Sequence, residues 1–235
     1  MSSYYPYSIL KNFRTKWRVH KMNIHTLSLG PIGTNCYIVH NGEKGLIFDP
    51  GAQPDVIEAF LTENNIEPLA ILLTHAHFDH IGAVESIRNT YQIDVYLHEE
   101  EQDWLEDPSL NRSSIFFGEA GAVRTGKPDV LITPGKWEIG PFTFEVVHTP
   151  GHSPGSVSYI FHDAQFVVCG DTLFNQGIGR TDLPEGNFQQ LMTSIFTHLY
   201  TLDESFTVYP GHGPSTTVGS EKYSNPFTIQ VQRDE

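Results

Sequence analysis

The chain has 235 residues, 39% of them hydrophobic and 12% aromatic, which suffices for one domain or two small ones with a sizeable core. Its formal net charge is -14, and because residues 1–21 hold five cations and no acid, residues 22–235 carry nine cations against 28 acids, a net of -19. So acidic a body repels phosphate backbones and disfavours a nucleic-acid partner. The longest aliphatic stretch, Leu69–Leu73, is far short of the ~20 residues needed to cross a bilayer, so no membrane partner is expected.

Residues 1–21 mix Tyr4, Tyr5 and Tyr7 with Lys11, Arg14, Lys16, Arg18 and Lys21, without a clean period. They have no apolar h-region, so a secretory signal is not predicted. They are read as a basic, poorly ordered extension ahead of a start at Met22, with a disordered arm or a transit segment as the alternatives. Residues 22–235 then form the domain. With two cysteines there is no disulfide framework, and a reducing, cytoplasmic location is expected.

From Ile24 the pattern is strands, helix, strands, helix. Strand runs are Ile24–Leu29, Cys36–Val39 and Gly45–Phe48, and Asp49-Pro50-Gly51 marks a turn. Val56, Ile57, Phe60 and Leu61 recur at helical spacing. Leu69–Leu73 is the continuous apolar run of a strand buried on both faces. A helix is predicted from Ile81 to about Tyr91, then a strand at Val95–Leu97. Residues 99–128 are polar with small apolar clusters, and short helices with a mobile loop are expected there.

Strands return at Trp137–Ile139, Phe142–Val147, Ser156–Phe161 and Phe166–Cys169, with Phe206–Tyr209 as the last one. The clearest helix covers 187–199, where Phe188, Leu191, Met192, Ile195, Phe196 and Leu199 make a core-packing stripe. Two halves of similar element order predict a layered α/β body, sheets inside and helices outside.

The chemistry concentrates in Thr74-His75-Ala76-His77-Phe78-Asp79-His80, directly after the buried run Leu69–Leu73. Ligands in α/β sheets gather at such carboxyl ends of strands. Imidazole and carboxylate suit zinc, iron or manganese, and the lack of nearby thiolates argues against a structural cysteine-type zinc site. Three side chains from so short a loop serve one ion with difficulty. Two ions ~3.5–4 Å apart could share it if further ligands and a bridging carboxylate came from elsewhere. Asp171 after Phe166–Cys169, His212 after Phe206–Tyr209, and His148 or His152 after Phe142–Val147 are placed to supply them. Spacing alone does not choose between His148 and His152.

His75-x-His77-x-Asp79-His80, Thr149-Pro150-Gly151-His152, Gly170-Asp171-Thr172 and Gly211-His212, in that order, resemble the motifs of the metallo-β-lactamase fold superfamily. The match spans about residues 22–226. Gly-Asp-Thr-Leu-Phe at 170–174 and Gly-Arg-Thr-Asp-Leu-Pro at 179–184 are similar to the glyoxalase II-like (hydroxyacylglutathione hydrolase-like) group. The resemblance implies an α/β fold of the four-layer αββα sandwich type, with two divalent ions, zinc first and iron or manganese next, at one sheet edge. It implies His75, His77 and His152 on one ion, Asp79, His80 and His212 on the other, and Asp171 as the bridge. His148 becomes a partner behind a ligand or a packed histidine. His20, His25, His40, His98, His162 and His198 have no such context.

The implied activity is hydrolysis of a small-molecule thioester by a metal-bridging hydroxide, with Asp171 and Asp79 as the catalytic carboxylates. A leaving thiolate needs little proton help, since thiol pKa values lie near ~8.5. The alternative is a mononuclear iron persulfide dioxygenase of the same fold; a β-lactam hydrolase ranks lower, because Asp171 stands where many such enzymes carry a cysteine. Arg180 stands where glutathione hydrolases have a lysine contacting the thiol carrier, and would either bind a substrate carboxylate or pair with Asp182. Phe174 would line the pocket or join the core. Asp182 replaces an aromatic substrate contact and Gly213-Pro214 replaces Glu-Tyr. Little sequence follows Glu221-Lys222, so an extra helical domain is not expected. These departures place glutathione itself in question. Cys169, two residues before Asp171, is expected to be a buried inert thiol, and Cys36 to be core.

Overall fold

The computed structural model describes residues 22–234, so the predicted basic extension 1–21 lies outside the described residues. In the first half the chain forms β1 (Asn23–Leu29), β2 (Thr34–His40), β3 (Lys44–Phe48), α1 (Pro54–Glu63) and β4 (Glu67–Leu72). It continues as α2 (Phe78–Ile81), α3 (Val84–Tyr91), β5 (Asp94–His98), α4 (Ser113–Phe117) and β6 (Val130–Ile132). The second half forms β7 (Gly135–Ile139), β8 (Phe142–His148), β9 (Val157–Phe161), β10 (Phe166–Gly170), β11 (Leu173–Phe174) and β12 (Gly177–Ile178). It ends with α5 (Phe188–Ser194), β13 (Thr207–Pro210), β14 (Thr216–Thr217), α6 (Val218–Ser224) and α7 (Pro226–Asp234).

Two six-stranded sheets result, ordered β1-β2-β3-β4-β5-β6 and β14-β13-β10-β9-β8-β7. In the first, β3 to β6 are parallel neighbours and β1 to β3 antiparallel. In the second, β7 to β10 are antiparallel, and β13 runs parallel to β10.

Alternation along each strand divides its side chains between two cores. In β4, Ile71 packs towards α1 and α3 with Ile57, Leu61, Val84 and Ile87, while Ala70 and Leu72 face the other sheet. Between the sheets, Phe48 meets Tyr159 edge-on at 5.1 Å and Phe161 at 6.1 Å. Such pairs add about 0.5–1.5 kcal/mol beyond the area they bury. Ile160, Val167 and Cys169 face Leu191, Ile195 and Leu199 in a third cluster. The layers are therefore helix, sheet, sheet, helix, as the resemblance implied.

Local departures have identifiable causes. The helix predicted from Ile81 to about Tyr91 is α3 and starts at Val84; Gly82-Ala83 separate it from the unpredicted turn α2, and a Cβ on Gly82 would collide with the Gly51 carbonyl. The stripe over 187–199 is one core-facing run, but only Phe188–Ser194 is α-helical. Ile195–Leu199 widens to a π turn closed by Tyr200 N donating to Ile195 O at 2.9 Å. Phe206–Tyr209 is not the last strand, because Thr216–Thr217 pairs with it. Segment 99–128 contains three short helical turns.

Candidate metal centre

Four strands deliver the predicted residues to one edge of the sandwich. The loop after β4 and the short helix α2 that follows carry His75 to His80, the loop after β8 carries His152, the end of β10 leads into Asp171, and the end of β13 leads into His212. The two halves are clamped there. Asn35 N donates to Gly211 O at 2.7 Å, Tyr37 OH to Pro210 O at 2.5 Å, and Val157 N to Thr74 O at 2.9 Å. Glycine permits the approach: a Cβ on Gly211 would collide with the Asp171 carboxylate, and one on Gly170, held at φ +49°, with the Thr74 side chain.

The seven side chains converge. Ligand atoms of His75, His77 and His152 lie within 4.8 Å of one another, as do those of Asp79, His80 and His212, and those of His75, His80 and Asp171. His77 Nδ1 is 2.9 Å from His152 Nε2. Asp79 Oδ2 is 3.3 Å from His80 Nε2 and 3.2 Å from His212 Nε2. Asp171 sits between the groups, its oxygens 3.5 Å from His80 Nε2, 3.5 Å from His152 Nε2 and 3.6 Å from His212 Nε2.

Hydrogen bonds behind the cluster turn the imidazoles inward. Asp49 Oδ2 accepts from His80 Nδ1 at 2.9 Å and from Thr74 Oγ1 at 2.7 Å, while Thr74 Oγ1 lies 3.1 Å from His75 Nδ1. His152 Nδ1 donates to Arg180 O at 2.8 Å. A ring whose Nδ1 hydrogen is engaged this way presents its Nε2 lone pair to the centre. His75 Nε2, His80 Nε2 and Asp171 Oδ1 are buried and have no hydrogen-bond partner among the described residues. Orphaned buried polar atoms are costly. Converging nitrogen and oxygen donors with this vacancy of partners fit divalent cations.

The electrostatics agree with that fit. Burial, then the neighbouring His80 and His77, hold His75 well below the usual histidine range, so it stays neutral and can ligate. Burial and His152 do the same to His77. Burial also works against a charged His80, but Asp79, Asp49 and Asp171 outweigh it and push the ring up to about 10. Burial opposes ionisation of Asp79 too, yet His80, His212 and Thr34 hold it well below the usual carboxylate range. Three carboxylates around one imidazole make a field that draws cations.

Four participants were not legible as such in the sequence. Asp49, read as a turn residue, is buried behind His80 and Thr74. Glu101 is fully buried and accepts from Ala76 N at 2.5 Å, Ser153 Oγ at 2.5 Å and Gly155 N at 2.8 Å. Thr34 Oγ1 donates to Asp79 Oδ2 at 2.7 Å. Arg112 lies over the Trp104 ring and pairs with Glu185 beside the cavity. An acid inside the polar 99–106 run carried no signal of burial.

Other predicted residues are placed as follows. His148 stands apart from the cluster; its Nε2 donates to Pro154 O at 2.7 Å and its ring stacks on His98 at 4.4 Å. Those rings are within 14° of parallel, so their in-plane lone pairs do not converge on one point. His25 stacks on Phe60, and His162 pairs with Glu145. His20 lies outside the described residues. Arg180 makes a two-point pair with Asp182 at 2.9 and 2.8 Å at the rim of the cluster. Phe174 is half-buried, its ring edge-on to His212 at 6.2 Å, on the cavity wall. Cys169 is buried in the core, where burial pushes its thiol up to about 12. Among the described residues no helix is long and apolar enough to cross a membrane.

Comparisons with known proteins agree with this architecture. Residues 29–212 match the metallo-beta-lactamase superfamily. The chain is 49% identical to the probable metallo-hydrolase YqgX of Bacillus subtilis, covering 90% of this chain and 97% of that one. It is 33% identical to the hydroxyacylglutathione hydrolase GloC of Haemophilus influenzae, covering 88% and 98%. Among solved structures, the BLEG-1 B3 metallo-beta-lactamase superposes with a TM-score of 0.85 at 47% identity, covering 88% of this chain and 99% of that one. TTHA1623 in a di-iron-bound form gives 0.77 at 37% identity, covering 86% and 99%. With its αββα layers and its His/Asp cluster at the sheet edge, this chain belongs to the metallo-beta-lactamase superfamily, whose fold implies divalent metal ions.

Proposed function

We propose that the chain is a thioester hydrolase with two divalent ions, zinc by preference. His75, His77 and His152 would hold one ion, Asp79, His80 and His212 the other, and Asp171 would lie between them. The observation that carries this reading is the position of Asp171, within 3.6 Å of nitrogens from His80, His152 and His212, flanked by two ligand triads. A second complete triad favours two ions over the mononuclear iron site of a persulfide dioxygenase.

When bound, the ions supply a water of lowered pKa and polarise the carbonyl oxygen. The protein's own groups prepare that chemistry. Thr34 donates to Asp79 Oδ2, fixing the carboxylate that faces His80 and His212. Asp49 holds the Nδ1 hydrogen of His80, and the Arg180 carbonyl that of His152, so neither ring can turn. A thioester suits a site without a designated proton donor for the leaving group, because a thiolate departs unprotonated near neutral pH. The resemblance of the 170–184 segment and the identity with GloC point to the same bond.

Metal analysis of the isolated protein, paired with a thioester hydrolysis screen, tests this reading. Two divalent ions per chain and thioester turnover are expected. One iron per chain, with oxygen consumed in the presence of a persulfide, would overturn it. Turnover of a β-lactam in preference to every thioester would overturn it as well.

A further inference from the structure

Two cavities, of about 410 and 530 Å³, meet at the cluster and share Ile32, Asp171, Arg180 and His212. Their walls are apolar and aromatic. On one side Phe78 holds the rings of Phe116 and Phe117 at 5.1 and 5.2 Å, with Leu183 beside them. On the other stand Phe174, Ile178, Phe188 and Phe227. Phe116 is 55% exposed, Phe117 46% and Ile32 52%. Large apolar groups left in water and contiguous with a polar cluster mark a ligand groove.

Among the described residues, both side-chain cations at these cavities are paired with a carboxylate. Arg180 spends its Nε and Nη2 hydrogens on Asp182. Arg112 spends Nη1 and Nη2 hydrogens on Glu185, on Pro184 O at 3.1 Å and on Ser109 O at 3.2 Å, while its buried Nε has no partner among the described residues. Among the described residues no lysine lines either cavity. A thiol carrier bearing carboxylates or phosphates would compete with Asp182 and Glu185 for these two guanidiniums, and would approach a body with a net charge of -19 over residues 22–235. An apolar group would gain from every ring it covers.

We propose that the site is built for uncharged thioesters whose acyl group is an apolar chain, on a carrier without carboxylates or phosphates. The assignment rests on the thioesterase reading and narrows it to a substrate class. The acyl chain and carrier would divide between the two cavities, with the scissile carbonyl at the shared residues.

The test uses the full chain reconstituted with zinc. kcat/KM is measured for acetyl, butyryl, hexanoyl and octanoyl thioesters of N-acetylcysteamine, which is uncharged, and of glutathione, which carries two carboxylates and one ammonium. A rise of about fivefold or more from acetyl to hexanoyl is expected. A preference of about tenfold or more for the uncharged carrier is expected at each chain length. The double substitution Phe116→Ala with Phe117→Ala should flatten the chain-length series, and Asp182→Asn, which frees Arg180, should narrow the carrier preference. Binding of the matched thioethers, S-hexyl-N-acetylcysteamine and S-hexylglutathione, is measured by calorimetry and needs no turnover; the uncharged one should bind more tightly. Turnover with a flat series, or with glutathione preferred, would overturn the substrate class and leave the thioesterase reading standing. Turnover of no thioester would remove the thioesterase reading. The thioethers then decide the preference of the cavities separately: tighter binding of the uncharged one upholds it, and equal or reversed binding overturns it.

Discussion

Glu101 Oε2 accepts the amide hydrogen of Ala76 at 2.5 Å, in the backbone between His75 and His77. Its other oxygen takes Ser153 Oγ–H and Gly155 N–H, just after His152. One carboxylate thus ties the segment carrying three of the converging histidines to the loop carrying a fourth. Substitution by alanine leaves the Ala76 and Gly155 amides without this acceptor, at about 1–3 kcal/mol each, while Ser153 Oγ keeps Ser156 Oγ at 2.8 Å. Glu101→Ala should therefore lower the unfolding free energy by about 2 kcal/mol or more, read from urea titration, and should lower metal retention during dialysis. A loss below about 0.5 kcal/mol would show that water replaces the carboxylate.

The same group gives a pH signature. Burial raises Glu101 from 4.5 to about 7, against the lowering effect of its hydrogen bonds from Ser153, Ala76 and Gly155. The folded state then binds more protons than the unfolded state between those values, so this group's contribution to stability falls as pH rises through that window. In metal-free protein, the urea midpoint of the wild type relative to Glu101→Gln should be higher at pH 5 than at pH 7.5. An unchanged difference between the two pH values would contradict the raised value.

Asp49 accepts from His80 Nδ1, Thr74 Oγ1 and Thr74 N, so it orients His80 directly and His75 through the threonine. Loss of such a partner behind a ligand costs about 10–100-fold in metal affinity. Asp49→Asn should show that loss in chelator competition, with little change in the circular dichroism spectrum. Wild-type affinity in this variant would mean that packing alone holds the His80 ring.

Asp171→Ala should bring thioester turnover below detection while the protein remains folded. The side chain is 11% exposed, at a strand end, and belongs to none of the three hydrophobic clusters. Turnover close to the wild-type rate in folded Asp171→Ala protein would remove the carboxylate from its place between the triads.

Cys36 and Cys169 are both buried, and burial raises both thiols, Cys169 to about 12. The reactive species is the thiolate. Neither should react with a disulfide reagent at pH 8 in the folded state, and both should react in guanidinium chloride. Rapid labelling of native Cys169 would show an opening that exposes the α5 face of the second sheet, and of Cys36 an opening of the α1 and α3 face of the first.

Strand identity was legible where one physical pattern dominated. Leu69–Leu73 has to be buried on both faces, and the layered order of sheets and helices follows from where such runs fall. Val130–Ile132 and Thr216–Thr217 were not legible, because edge strands of three and two residues carry too little pattern. The break at Gly82 was invisible for another reason, since the Gly51 carbonyl that closes on it comes from a different turn.

The sequence by itself determined the chemical types at the sheet edge: His75 to His80 in one loop, and ligand-type residues beside glycine after three later strands. Local sequence could do this because the donors follow strand ends directly, and strand ends share an edge. Tertiary structure turns His152, the histidine the resemblance implied, inward and leaves His148 outside the cluster, and it alone decided which carboxylates support the rings from behind. Asp49 and Glu101 are a turn residue and one acid of a polar run until folding buries them, and burial with a hydrogen-bond partner is a property of the packed chain alone.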